Sequence, residues 1–124
     1  MTADEEDLYL KKFQKELNAG IVSLVLLATL AAAGEPLYGY QIAKLLEPEG
    51  GDTGPVKQGT LYPVLRALSG AELLGSHVEP SVSGPPRRYY RITDEGRAAL
   101  AEWKRAWTRT RNFVDSVLGD SHHE

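Results

Sequence analysis

The stretch from Ile21 to Ala33 restricts the fold more than any other, since it holds no charged side chain and only two hydroxyl residues. A helix that crosses a bilayer needs roughly 20 apolar residues, so this stretch alone is too short for that role. A helix that is apolar nearly all round has to be surrounded by the rest of its own domain. We therefore expect a buried central helix, stopped by Gly34 and by the turn that Glu35-Pro36 favours.

Length and composition are those of one soluble domain. The chain has 124 residues, of which 42% are hydrophobic and 25% charged, and this is sufficient for a single core. There is no cysteine, which excludes disulfides and thiolate chemistry, and of the three histidines only His77 lies away from the C-terminal tail. Without paired carboxylates, a phosphate-binding glycine loop or a metal-ligand spacing, we expect neither an enzyme nor a cofactor. Residues 2–7 are polar or acidic, unlike a secretory signal, so we expect a cytoplasmic protein without a membrane role.

An amphipathic helix is predicted ahead of the buried one. Over residues 5–18, Leu8, Phe13 and Leu17 are set among lysines and acids, which is typical of a soluble helix with one apolar face. Gly20 is expected to break or bend the chain between this helix and the apolar stretch, because glycine is a poor residue inside a helix.

Two short helices and a hairpin follow. Residues 39–47 and 58–69 have helical spacing and are joined by a loop rich in glycine and proline. Residues 87–92 instead alternate with a period of two, which is typical of a strand, and residues 75–80 are the expected partner across a turn at 81–86. A short helix pair followed by a basic hairpin indicates a winged helix-turn-helix, whose second helix fits the major groove of DNA.

The last helix is predicted from Thr93, an N-cap residue, to about Leu118. Its seam residues are spaced alternately by three and four, the pattern of a helix that packs against another helix. They are Leu100, Trp103, Trp107, Thr110, Val114 and Val117. One small domain cannot cover both this seam and the face of the first helix, so we expect a two-fold dimer to pack them together.

Together these elements predict a mainly α fold with a small β-hairpin. A winged helix-turn-helix is expected at residues 20–93, between an N-terminal dimerisation helix at residues 1–19 and a C-terminal dimerisation helix with a frayed tail at residues 94–124. Residues 56–91 hold five basic and two acidic side chains, although the whole chain has a net charge of −3. A local basic surface on such a fold indicates a nucleic-acid partner.

Three strings of residues resemble the PadR family of bacterial transcriptional regulators. They are Tyr38-Gly-Tyr-Gln-Ile-Ala-Lys-Leu-Leu46, Gln58-Gly-Thr-Leu-Tyr-Pro-Val-Leu-Arg-Ala-Leu68 and Pro86-Arg-Arg-Tyr-Tyr-Arg-Ile-Thr-Asp-Glu-Gly-Arg97. The resemblance covers about residues 21–100, and the single helix after it is similar to the compact subgroup with a short C-terminal region. It implies a homodimeric repressor with a recognition helix near Gln58 and a wing after Leu74. It also implies an effector that releases the DNA, in some members a phenolic acid or a planar aromatic drug.

The sequence departs from the family pattern at Leu68-Ser-Gly-Ala-Glu-Leu-Leu74. The family usually has a glycine just before the final leucine pair, and here Glu72 occupies that position while Gly70 comes earlier. The departure affects the end of the recognition helix and, with it, the angle of the wing.

The DNA-binding candidates are polar and basic residues on the second short helix, at its start and beside the hairpin turn. They are Lys57, Gln58, Thr60, Tyr62, Pro63, Arg66, Arg87 and Arg88. The alternative for the helix is a solvated polar face, and for the two wing arginines it is a role in solubility alone. If the arginines contact phosphates or the minor groove, the partner is double-stranded DNA, and a two-fold dimer predicts a palindromic operator.

A second candidate site lies at the dimer seam. It is formed by Phe13, Leu17, Leu100, Trp103, Trp107 and Val114. The tryptophans serve either as interface core or as an aromatic slot for a flat ligand between subunits. We therefore predict a ligand-responsive, DNA-binding repressor. The alternatives are a winged-helix module that binds protein and a small-molecule-binding dimer without a DNA role.

Overall fold

The computed structural model describes residues 2–47 and 58–119, and these residues form four helices and three strands. In chain order the elements are α1 (Ala3–Ala33), β1 (Leu37–Tyr38), α2 (Gly39–Leu45), α3 (Gln58–Gly70), β2 (Leu74–Glu79), β3 (Arg87–Ile92) and α4 (Asp94–Leu118). The predicted mainly α fold with a small antiparallel β-structure is confirmed.

α1 is one continuous helix, so the predicted break at Gly20 is wrong. It runs for 31 residues, which makes it about 45 Å long. The Thr2 hydroxyl oxygen accepts a hydrogen bond from the Glu5 N–H at 3.2 Å and caps the first turn, and Gly34 ends the helix with a left-handed φ of 68°. A single glycine costs a helix only about 1 kcal/mol, which the helix-forming residues on both sides outweigh. α1 therefore crosses the predicted boundary between residues 19 and 20, and the division into functional segments stays a prediction.

The C-terminal half of α1 forms the centre of the core. Val22, Leu26, Leu27 and Leu30 are at most 2% exposed. They pack with the buried residues Leu37, Ile42, Leu61, Leu65, Leu68, Leu74, Tyr90 and Leu100. By length and composition alone α1 is also long and apolar enough to cross a membrane, a test that the core helix of a soluble protein passes as well. The predicted buried helix is confirmed by its place in the core.

The sheet has three antiparallel strands, one more than the predicted hairpin. β3 is central, with β1 on one side and β2 on the other. β2 and β3 pair in continuous register from Leu74↔Ile92 to Glu79↔Arg87, and these two strands with their connecting turn are called the wing below. β1 adds only two residue pairs to β3, and a strand of two residues is too short to leave an alternating pattern in the sequence. It nevertheless brings the start of α2 against the wing.

Glu72, just after α3, takes the backbone conformation of the glycine that the PadR pattern has at this position. The Leu73 N–H donates to the Leu68 carbonyl and the Glu72 N–H to the Ser69 carbonyl, each at 3.0 Å, which is a Schellman motif. Glu72 has the left-handed φ of 64° that this motif requires. Because the turn closes as it would with glycine, β2 begins at Leu74 and pairs in register with β3.

We expect Glu72→Gly to stabilise the protein. A left-handed conformation costs a residue with a Cβ roughly 1 kcal/mol more than it costs glycine, so the midpoint of thermal unfolding should rise by about 4 °C. Glu72→Ala is the matched control, since it removes the exposed carboxylate but keeps the Cβ, and it should leave the midpoint unchanged. An equal rise for both variants would show that charge, and not backbone strain, limits stability at this turn.

Candidate nucleic-acid interface and helical groove

α3 presents one buried and one exposed side. Leu61 and Leu65 are fully buried and Leu68 is 5% exposed, so they anchor the helix to the core. Four of the DNA-binding candidates lie on the exposed side, namely Thr60, Tyr62, Pro63 and Arg66. Lys57 and the side chain of Gln58 lie outside the described residues. The exposed side is therefore open to a partner, and its contacts with DNA stay a prediction.

Tyr62 packs directly onto the start of α2. A Cβ built on Gly39 would lie 2.5 Å from Tyr62 Cε1 and 2.8 Å from the Tyr62 hydroxyl oxygen. Only a glycine at position 39 lets the two helices meet in this way. Tyr62 is still 40% exposed, so it borders solvent beside the wing. Pro63 lies inside α3 and lacks an N–H, which leaves the carbonyl of Gly59 without its usual helical partner.

The two wing arginines leave β3 on opposite sides, because successive residues of a strand alternate in direction. The guanidinium carbon of Arg87 lies 4.5 Å from the centre of the Tyr38 ring, in a cation–π contact. Arg88 donates from Nη1 to the Ser76 hydroxyl oxygen at 3.1 Å. Both arginines are exposed, so each is oriented by a neighbour while its charge still faces solvent.

An open recess of about 320 Å³, called the wing recess below, separates the wing from the starts of α2 and α3. Its lining includes Tyr38, Tyr40, Tyr62, Ser81, Arg87 and Arg88. The recess thus brings three of the sequence-predicted candidates together with three tyrosines outside that set, Tyr38, Tyr40 and Tyr90. The wing and α3 therefore form opposite walls of the same recess.

α1 and α4 enclose a larger groove of about 520 Å³, called the helical groove below. Its lining includes Glu16, Leu17, Ile21, Leu24, Trp103 and Trp107. Three of the seam candidates, Leu17 and both tryptophans, are therefore brought together within one chain. Among residues 2–47 and 58–119, no three histidine, aspartate or glutamate side chains gather as a metal site would require.

The remaining seam candidates lie elsewhere. Phe13 and Val114 are 58% and 44% exposed and are not part of the groove lining. Leu100 is 6% exposed and packs in the core of its own chain, and its assignment to a dimer seam stays a prediction. The first turns of α4 direct the seam toward the core of the same chain, and only the later turns leave it uncovered.

Comparison with known proteins decides the family. A family model described as the transcriptional regulator PadR-like family matches residues 26–102. The chain belongs to the PadR-like family. The predicted resemblance is confirmed, and the winged helix-turn-helix is the fold of this family's solved regulators.

PadR-like relatives cover most of the chain. Transcriptional regulator Rv3488 of Mycobacterium tuberculosis is 38% identical over 92 residues, which is 74% of this chain and 79% of that one. A PadR family transcriptional regulator from Eggerthella lenta has a TM-score of 0.80 at 34% identity, covering 96% of this chain and 100% of that one. A PadR-like transcriptional regulator from Bacillus cereus has a TM-score of 0.65 at 29% identity, covering 83% of this chain and 96% of that one. The protein is a transcriptional regulator and not an enzyme.

Three residues of the PadR-like strings matter more than the sequence analysis indicated. Gly39 and Tyr40 stand in the first string and Gly96 stands in the third. Their presence in those strings was the available signal. The roles of the two glycines depend on the residues that lie against them, which are Tyr62 for Gly39 and the Leu73 carbonyl for Gly96. Such contacts between distant segments leave no local pattern in the sequence.

Proposed function

We propose that this PadR-like protein is a homodimeric, cytoplasmic repressor that binds palindromic operator DNA and is released by a small aromatic ligand. The observation that carries the proposal is the exposed side of α3, with Tyr62 and Arg66, next to a wing that displays Arg87 and Arg88. An α-helix fits the major groove of B-DNA, where exposed side chains reach base edges. Arginines on an adjacent hairpin gain affinity from phosphates and from the minor groove.

The dimer is supported by apolar side chains that one chain leaves uncovered. Among those exposed on α1 and α4 are Tyr9, Leu10, Phe13 and Leu17 on α1 and Trp107, Val114 and Val117 on α4, all at least 41% exposed. On each helix these residues fall on one face at helical spacing. A second copy that packs α1 against α4 about a two-fold axis would cover both faces at once. Such a dimer sets two recognition helices about 34 Å apart, one turn of DNA, and this spacing calls for a palindromic operator.

The helical groove is the proposed effector site. Trp103 and Trp107 supply aromatic surface, and Glu16 is the one ionisable residue among the described residues that line the groove. An apolar slot with a carboxylate at its edge favours a planar neutral or cationic ligand over a phenolic acid. Because α1 and α4 also form the proposed dimer interface, a ligand in the groove changes the distance between the two winged helix-turn-helix units of the dimer. DNA affinity then falls because the ligand binds the two arrangements with different affinity.

The experiment that tests DNA binding is a fluorescence-anisotropy titration of random and palindromic duplexes at two salt concentrations, with the molecular mass measured in solution. If each subunit places about three cations on phosphates, the slope of log K against log salt should be on the order of −5. Salt-sensitive binding by a dimer is the expected result. A protein that ignores DNA at low salt would instead point to a winged-helix module for protein partners or a small-molecule-binding dimer.

We expect planar cations to quench the tryptophan fluorescence at lower concentration than planar anions of the same size, by about 5-fold. Glu16→Gln should remove this difference, because it replaces the only carboxylate in the described lining with a neutral group. Glu6→Gln is the matched control, since Glu6 is exposed on α1 outside the groove. Equal quenching by both ligand classes in the unmodified protein would contradict the assignment of ligand charge.

A further inference from the structure

We infer that the wing recess is an anion pocket that binds one phosphate group of the DNA backbone. The inference rests on the proposed DNA-binding function and adds a contact that the exposed side of α3 and the wing do not make separately. It assigns phosphate binding to the Tyr62 hydroxyl and to Tyr40, which lies on α2 and outside the interface expected from the sequence.

The lining of the wing recess is suited to an anion. Its lining includes Arg87 and Arg88 together with tyrosines and serines, and none of the described residues that line it is acidic. Guanidinium and hydroxyl groups are the donors that phosphate oxygens accept from. Tyr38 orients Arg87 and Ser76 orients Arg88. The Arg87 charge is therefore positioned beside the recess before the anion binds, since Tyr38 also lines it, and this reduces the side-chain entropy lost on binding.

The two tyrosine hydroxyls are available to such an anion. No hydrogen bond joins the hydroxyl of Tyr40 or Tyr62 to another residue within 2–47 or 58–119. The Tyr62 ring is held in place by Gly39, while Tyr40 is 54% exposed and stacks on Tyr38 with ring centroids 6.5 Å apart. Both phenols thus pack against neighbouring residues, and neither hydroxyl donates to a residue in the described part of the chain.

A phosphate bound here contacts three elements at once. Tyr62 belongs to α3, Tyr40 to α2 and Arg87 to the wing, so one phosphate ties the wing to the recognition helix in a fixed relation to the DNA backbone. The phenols are neutral and the arginines are charged. Only the arginines release counterions, so the two kinds of contact have different effects on the salt dependence of binding.

Tyr62→Phe tests the inference with the full-length protein and a labelled random-sequence duplex at several salt concentrations. Loss of one hydrogen bond to a charged oxygen should weaken binding about 10-fold, while the slope of log K against log salt stays the same. Thr108→Val is the matched control, because it removes an exposed hydroxyl on α4 outside the wing recess, and it should not change binding. Binding by Tyr62→Phe as tight as that of the unmodified protein overturns the inference.

Gly39→Ala is a second variant that keeps every donor. Its Cβ would meet the Tyr62 ring, so the ring has to move and binding should weaken by a similar factor. In a Tyr62→Phe background the same change should add little, since the two act on one contact. Circular dichroism checks that both variants are folded. Full additivity of the two losses would overturn the assignment of Tyr62.

Two comparisons separate the possible outcomes. At equal ionic strength, inorganic phosphate should release the duplex from the unmodified protein at lower concentration than chloride does, because free phosphate competes for the recess, and Tyr62→Phe should reduce this difference. Equal release by both anions from the unmodified protein would overturn the phosphate pocket. A protein that binds no duplex at low salt defeats the proposed function itself. A protein that binds DNA but is indifferent to Tyr62→Phe defeats only the phosphate pocket.

Discussion

Replacing Arg87 and Arg88 together by alanine is expected to weaken DNA binding roughly 50-fold at about 0.1 M salt, for every DNA sequence alike. Both guanidinium groups are exposed, and each is oriented by a neighbour on the sheet. Two lost phosphate contacts should change the slope of log K against log salt by about 2, from about −5 to about −3. Because phosphate contacts carry no sequence information, the preference for operator over random DNA should be retained.

The matched control replaces Arg105 and Arg109 by alanine. Both residues are exposed on α4 and away from the wing, and the change in net charge is the same. This variant should bind DNA with the affinity and salt slope of the unmodified protein. An equal loss for both pairs would mean that the overall charge, and not the wing, attracts DNA. Exposed changes on the helix, such as Thr60→Ala, should instead alter sequence preference with little effect on the salt slope.

Gly96→Ala is expected to lower the free energy of unfolding by roughly 3 kcal/mol, and the midpoint of thermal unfolding by roughly 10 °C. A Cβ at this position would overlap the backbone oxygen of Leu73 and lie 2.8 Å from Ile92 Cγ1. The Leu73 carbonyl also accepts the Thr93 N–H at 3.2 Å, and the Gly96 N–H donates to the Thr93 hydroxyl at 2.9 Å. Backbone atoms held by these bonds cannot move aside, so the substitution pushes α4 away from the point where α3 joins the wing.

Gly70→Ala is the control for this substitution. Gly70 is the last residue of α3, and a Cβ there would meet no atom within 4 Å. Alanine is the better helix former, so this variant should be as stable as the unmodified protein or more stable by up to about 1 kcal/mol. Thermal unfolding followed by circular dichroism compares the two variants. If Gly96→Ala is as stable as Gly70→Ala, the backbone at Leu73 and the start of α4 can move to accommodate a Cβ without loss of stability.

The predicted elements that proved right depend on short-range patterns. The apolar stretch indicated a buried helix, Gly34 its end and Thr93 the N-cap of the last helix, and the structure places all three so. The expectation that proved wrong, a break at Gly20, depended on a balance of energies. Gly20 is a local helix breaker, but its cost is smaller than what the surrounding helix gains. Leu100 continues a regular seam, yet its part of that seam faces the core of its own chain.

The candidate interface, too, could be predicted only where it depends on short-range patterns. Alternation along residues 87–92 predicted the wing, but no local pattern marks β1, whose pairing with β3 places Tyr38 beneath Arg87. The family strings contain Gly39 and Gly96, and only the packed structure shows that each is small because another segment occupies the space a side chain would need. Likewise, a glutamate at position 72 raised a question about the wing that only the observed Schellman turn answers.

The sequence by itself determined the family, the buried helix, the wing and the N-cap of the last helix, because periodicity, capping residues and family strings are read along the chain. The tertiary structure alone decided where α1 is continuous, which seam residues stay uncovered, and which side chains share the wing recess. These features arise from contacts between residues far apart in sequence, and the energy of such a contact depends on the geometry that the whole fold imposes.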